Sequence, residues 1–232
     1  MILLCVLGVV SVKAFSEPDK TRESQDPSTI TIQSLFPVES GLKWRYERTS
    51  AEGVSHYVTN VLRSSSKDNH IYSILTNPFG VSYYELTPEM LLLKGIAPAE
   101  EPEKVSYYEE GNMIRLQNPI RKGAMWEDRA SLDKADGGIL TSYRTVISGW
   151  GKAEVPAGVF DAVITSTTLN TVFIDKETGL GKGVFSSEQI WYSPGIGIVR
   201  RTNFLLYGKD RAVPVRDDKL EEFIREEPKK IK

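Results

Sequence analysis

His56 and His70 are the two imidazoles of the 232-residue chain, and any Ser-His-Asp triad would have to be built on one of them. Both sit in strand-like segments, with no G-x-S-x-G nucleophile elbow anywhere in the chain. A zinc site needs three or four His, Cys, Asp or Glu ligands at suitable spacing, and none is visible. Gly179, Gly181 and Gly183 resemble a phosphate loop in spacing. A P-loop, however, wants Ser or Thr after Gly-Lys, and here Gly183 follows Lys182. The dinucleotide fingerprint wants glycine where Val184 stands, and no helix follows to hold a phosphate. Asp175 and Glu177 suggest a calcium loop, but its sixth and twelfth positions hold Leu180 and Ser186 instead of Gly and Glu. The 31 acidic residues single out no glycosidase-like pair, and Glu109 and Glu110 read as hairpin-tip charges. The residues therefore predict no catalytic, metal or cofactor site. A hydrolase using His56, His70 or a carboxylate pair is the alternative.

The aromatic residues carry the other possible chemistry, which is binding. Trp44, Tyr46, Tyr83, Trp126 and Trp191 are the candidate ligand-binding residues, because a curved sheet can present such rings to an apolar ligand in its concavity. The competing role is core filling, where each ring buries a large area. In the pairs Tyr83-Tyr84 and Tyr107-Tyr108, alternation puts one ring on each face of the sheet.

Elements able to position these rings follow from period-two patterning. Leu42, Trp44 and Tyr46 alternate within residues 42–49. Similar patterns mark strands over 54–62, 70–76, 81–86, 90–96, 105–108, 113–116, 139–150, 159–168, 189–192 and 196–206. Residues 63–69, 131–138 and 179–183 read as polar or flexible connections, and 118–126 as a connection delivering Trp126 to the core. A hairpin is expected over 105–116. Asp217 can cap a helix in which Leu220, Phe223 and Ile224 recur at helical spacing, ending before Pro228. The expected architecture is mainly β: a curved antiparallel sheet or half-open β-barrel of about ten strands, with a short C-terminal helix. The expected layout is a signal peptide over 1–14, a disordered leader over 15–29, a β domain over 30–216, then the helix and a basic tail over 217–232.

Forty per cent hydrophobic and 26 per cent charged residues allow a packed core. A net charge of -2 gives no electrostatic reason to expect nucleic acid. The apolar run from Ile2 to Val12 reads as a secretory signal cleaved near Ala14, too short for a span of roughly 20 residues. Cys5, the one cysteine, falls within it, and lipidation there is a minority option because Leu4 precedes it. Cleavage would leave a chain without a thiol or a disulfide, and not an integral membrane protein.

Three local patterns carry a resemblance. Phe36-Pro37 followed by Gly41, Trp44 and Tyr46 is one, and Val155-Pro156-Ala157-Gly158 with Phe160-Asp161-Ala162 is another. The third is Trp191-Tyr192-Ser193-Pro194-Gly195-Ile196-Gly197-Ile198-Val199. Together they resemble a family of bacterial secreted or envelope proteins called TapB-like, over about residues 36–201. The resemblance implies a twisted antiparallel sheet curled toward a half-barrel with a helix across it, a shape similar to LolA-type lipoprotein carriers. The motifs are structural, so no catalytic residue carries over. The expected protein is an exported, non-catalytic binding or scaffolding module of the bacterial envelope. Its expected partners are an apolar small molecule, a lipid or an envelope protein, and a purely structural envelope component is a further option.

Overall fold

The computed structural model describes residues 30–111, 113–134, 137–207 and 211–225. The expected signal segment, Cys5, the leader and the basic end of the tail lie outside the described residues. Among the described residues there is one short helix, α1 (Ile32–Leu35), and thirteen strands. These are β1 (Leu42–Ser50), β2 (Gly53–Lys67), β3 (His70–Asn77), β4 (Gly80–Leu86), β5 (Met90–Ala97), β6 (Ser106–Glu110) and β7 (Met113–Gln117). The second half of the chain supplies β8 (Met125–Lys134), β9 (Gly137–Val155), β10 (Gly158–Asp175), β11 (Gly181–Ser193), β12 (Gly197–Tyr207) and β13 (Arg211–Arg225).

Two antiparallel meanders, β1 to β5 and β8 to β13, are joined at both sides. β13 pairs with β1, and β5 meets β6, which meets β8. Because β4 also pairs with β5, twelve strands close into a barrel and β7 lies beside β5 as an extra strand. The expectation of a half-open sheet of about ten strands is corrected by this closure, which leaves β7 as the strand at the end of the sheet order and removes the open edges, and their pairing hazard, from the other twelve.

The C-terminal helix is also corrected: residues 211–225 form β13, a strand between β12 and β1. The helical spacing arose from a β-bulge. Tyr46 faces Leu220 and Arg45 faces Glu222, so one extra residue enters β13 between them. Leu220 and Phe223, opposite the inward Tyr46 and Trp44, are thereby three apart, as on a helix. Asp217 caps nothing; it accepts hydrogen bonds from Arg200 and Thr202. The hairpin expected over 105–116 is likewise absent, since β6 and β7 each pair with different parts of β5. Residues 63–67 continue β2, residues 125–134 form β8, and Gly181 already belongs to β11.

Inward positions alternate along each strand and form one core, including Leu42, Trp44, Val61, Leu91, Leu116, Ile147, Ile190 and Leu220. Outward positions carry charged pairs such as Arg45–Glu222 and Lys152–Asp161. No helix among the described residues is long and apolar enough to cross a membrane. α1 packs into the end of the barrel where β1 and β12 begin. Thr31 caps it, accepting from the Ser34 N–H at 3.1 Å, and Ile32, Leu35 and Phe36 are buried. The Pro194-Gly195 turn is tied to α1 by a 2.7 Å hydrogen bond from the Gly195 N–H to the Ser34 carbonyl. The Pro156-Ala157 turn is tied to the barrel wall by the Ala157 N–H donating to Leu220 O.

Candidate functional site

The inward register of β1 continues past its aromatic residues. Leu42, Trp44 and Tyr46 point inward, and at the same parity so does Arg48, opposite Asp218 of β13. The Arg48 Nε donates to Asp218 Oδ1 at 2.7 Å, and Asp218 is 1% exposed. Arg216, two residues back on β13, brings its Nε to 3.3 Å from Asp218 Oδ2 and donates to Asn203 Oδ1 at 3.1 Å. Arg201 of β12 stands opposite Asp218. These groups and the rings of Phe36, Trp44, Tyr46, Tyr57, Phe79 and Tyr84 line a chamber of about 140 Å³ inside the barrel. Thr59, Leu75, Asn77 and Ser82 complete its side, while Pro37, Gly197 and Ile198 close the α1 end.

The chamber walls are held by bonds that fix ring positions. Trp44 Nε1 donates to Ile196 O at 2.6 Å, and the Tyr46 hydroxyl donates to Ile198 O at 2.8 Å. Gly197 is required here by its φ of +97°, which L side chains rarely adopt, and not by space, since a Cβ there would make only ordinary contacts at 3.5 Å from Trp44 Nε1 and 3.4 Å from Pro37 Cδ. Tyr46 and Tyr57 stack at 5.3 Å, and Phe36 meets Tyr84 at 5.0 Å. Phe79, on the β3–β4 turn, is 59% exposed and covers the Arg48 guanidinium at 3.9 Å from its ring centre.

A second charged group adjoins the chamber. Glu188 of β11 is inward, hydrogen-bonded to Arg115 Nη2 of β7, and its other oxygen is 3.4 Å from Arg201 Nε. Burial alone would raise the Glu188 pKa, but Arg115 and Arg201 outweigh it and hold the carboxyl down at about 2. Burial followed by Asp218 pushes the Tyr57 phenol up to about 12, so it stays a neutral donor. Burial and then Arg201 push the Arg216 guanidinium below its ordinary value, a mark of crowded cations.

The structure brings together two of the five sequence-predicted residues, Trp44 and Tyr46. Trp126 is buried elsewhere in the core and donates to Ile114 O at 3.1 Å. Tyr83 faces outward, its hydroxyl donating to Pro102 O and its ring 6.0 Å from Tyr107. Trp191 faces outward beneath Arg200, whose guanidinium lies 5.0 Å from the ring centre. Neither histidine faces the chamber. His56 meets Glu221 at 3.0 Å, and His70 meets Glu85 at 2.7 Å, each on the outer face and each against a carboxylate instead of a nucleophilic hydroxyl. No metal-holding group of His, Cys, Asp and Glu occurs among the described residues. The charged chamber residues Arg48, Arg201, Arg216 and Asp218 were missed by the sequence reading. Their one signal is parity: each shares a face with buried neighbours such as Tyr46 and Val199.

No family model and no curated protein matches the chain. Among solved structures, a candidate lipoprotein from Parabacteroides distasonis aligns at a TM-score of 0.55 and 15% identity, over 82% of this chain and 98% of that one. A candidate exported protein with a YmcC-like fold from Bacteroides fragilis aligns at 0.42 and 12% identity, over 82% and 98%. The lipoprotein YmcC of Escherichia coli, described as hypothetical, aligns at 0.37 and 9% identity, over 82% and 86%. The first of these likenesses extends to the fold.

Proposed function

We propose that this protein is a non-catalytic binding module, exported to the bacterial envelope, whose interior chamber takes up part of a small ligand. The observation that carries this reading is the chamber itself: an aromatic-walled space of about 140 Å³ beside the packed apolar core of the barrel. A space of that size holds roughly one benzene-sized group, so a larger lipid would place only one end inside. The ligand is therefore smaller, or more shallowly held, than the continuous apolar cavity expected of a LolA-like carrier. Export and envelope location are supported by the signal-like residues 2–12, by the three motifs that resemble those of TapB-like proteins and by the candidate-lipoprotein description of the P. distasonis protein. The outward placement of His56 and His70 favours binding over hydrolysis.

Native mass spectrometry of the protein purified from its own host tests this reading. A retained small-molecule adduct is expected, together with a mature mass that shows cleavage near Ala14. Ser82 lines the chamber, and Ser82→Phe should fill it, abolishing the adduct while leaving a folded barrel. A bare protein that binds no small molecule, and whose Ser82→Phe variant behaves identically, would overturn the reading.

A further inference from the structure

The charges inside the barrel do not balance. Arg48 and Arg216 share the carboxylate of Asp218, while Arg115 and Arg201 share that of Glu188. Four guanidiniums thus meet two carboxylates in one connected interior cluster. Moving charge out of water is costly unless each charge finds a counter-charge; Arg48 and Arg115 are the enclosed pair, and the surplus falls on Arg201 and Arg216, which line the chamber with 26% and 32% of their side-chain surface exposed. At the chamber surface itself the disproportion is sharper, with Arg48, Arg201 and Arg216 facing Asp218 alone.

Arg201 shows where the imbalance is greatest. Its Nε, turned toward Glu188 and away from the chamber, is the buried side-chain polar atom among the described residues that makes no hydrogen bond, while the side chain as a whole keeps 26% of its surface exposed and lines the chamber. It lies 3.4 Å from a Glu188 oxygen, close enough for attraction but not aligned to donate. Glu188 is committed to Arg115, and Asp218 to Arg48 and Arg216. Arg201 is held among aromatic rings and against two other cations, and Asp218 is the one acid of the chamber wall. A guanidinium is a planar fork of donors suited to carboxylate and phosphate oxygens. The surrounding rings supply an apolar wall for whatever group carries the anion.

We propose that the chamber is an anion receptor: it binds the carboxylate or phosphate end of a small aromatic or apolar molecule, with Arg201 as the principal donor and Arg216 beside it. This deepens, and rests on, the proposal that the chamber binds a ligand. The anion makes up part of the missing negative charge, and Phe79, over Arg48, covers the same chamber from the β3–β4 turn.

Four probes of similar size test it: benzoate, phenyl phosphate, benzyl alcohol and benzylamine, each titrated into the protein while the Trp44 indole N–H is followed by NMR. At least one anion should bind ten-fold or more tightly than benzyl alcohol, and benzylamine should bind least. Whichever of benzoate and phenyl phosphate binds better identifies the head group. Arg201→Gln should weaken the anion ten-fold or more and leave benzyl alcohol within two-fold. Arg216→Gln, if the first variant is unfolded, should weaken the anion in the same sense. Equal binding of anion and alcohol overturns the anion assignment while leaving a ligand chamber in place. Failure of all four probes, with Ser82→Phe indistinguishable from the parent, overturns both.

Discussion

Glu188 holds two guanidiniums in place inside the barrel, and its titration should be visible in the stability of the whole. Its pKa falls from the ordinary 4.5 to about 2 on folding, through Arg115 and Arg201 acting against burial. A carboxyl depressed in this way contributes stability that is fully present above the unfolded value and lost as pH falls through the folded one. The window therefore runs from about pH 5 to about pH 2, and the shift corresponds to about 3 kcal/mol. Glu188→Gln should cost about 3–5 kcal/mol at pH 7, because it leaves Arg115 buried without its counter-charge. The variant should also lose much of the acid sensitivity between pH 5 and pH 2. Urea denaturation of both proteins at pH 7 and pH 3 measures this, and equal midpoints at pH 7 would refute it. At this scale the sequence showed the rings but not the charges. Trp44 and Tyr46 stand out because aromatic residues at alternate positions signal a buried face. Arg48, Glu188 and Arg201 share that parity, yet a charge on a strand ordinarily faces water. Their interior position depends on partners up to 170 residues away, as Arg48 and Asp218 are.

Strand β13 shows what local pattern can and cannot specify. Most strands were legible because period-two alternation is a short-range signal. β13 was not, because its bulge opposite Arg45 and Tyr46 spaces Leu220 and Phe223 like one helical turn. A second bulge, between Asn203 and Phe204 on the partner side, coincides with Pro214, which elsewhere in a central strand would remove a ladder hydrogen bond. Lys219→Pro separates the two readings. In a helix capped by Asp217, residue 219 would lie in the first turn, where proline is tolerated. In β13, Lys219 is paired with Arg200 on one side and Glu47 on the other. The variant should therefore lose a ladder hydrogen bond and about 1–3 kcal/mol in urea denaturation. A loss well under 1 kcal/mol would restore the helix. The missed β8 and the early start of β11 have a different origin, since neither the β8–β9 nor the β10–β11 pairing contains a bulge. Their polar residues pair with long neighbours, β9 and β10, whose alternation carries the pattern for both.

Closure of the sheet is the property that makes both the core and the chamber, and no segment of the sequence encodes it alone. The seam lies where the last described strand, β13, inserts between β12 and β1, the first. Through that seam pass Arg48–Asp218, the Trp44–Phe223 ring contact at 5.7 Å and the inward Leu220, which is fully buried. A chain ending at residue 210 would expose two unpaired edges, on β1 and β12. It would also remove Arg216 together with Asp218, leaving Arg48 without its carboxylate and Arg201 without the acid opposite it. Open edges recruit strands from other molecules, and cations stripped of their carboxylate destabilise the opened interior. The truncated protein should therefore elute as dimers and larger species, unfold without a single sharp transition and bind none of the anionic probes. A peptide spanning residues 211–225 added in trans should pair with both edges, as strand-donating partners do, and restore the monomer together with the chamber. Size-exclusion chromatography and the Trp44 titration follow the two recoveries separately. A truncated chain that remains monomeric, melts like the parent and still binds anions would show that the barrel holds its shape and its charge without the seam.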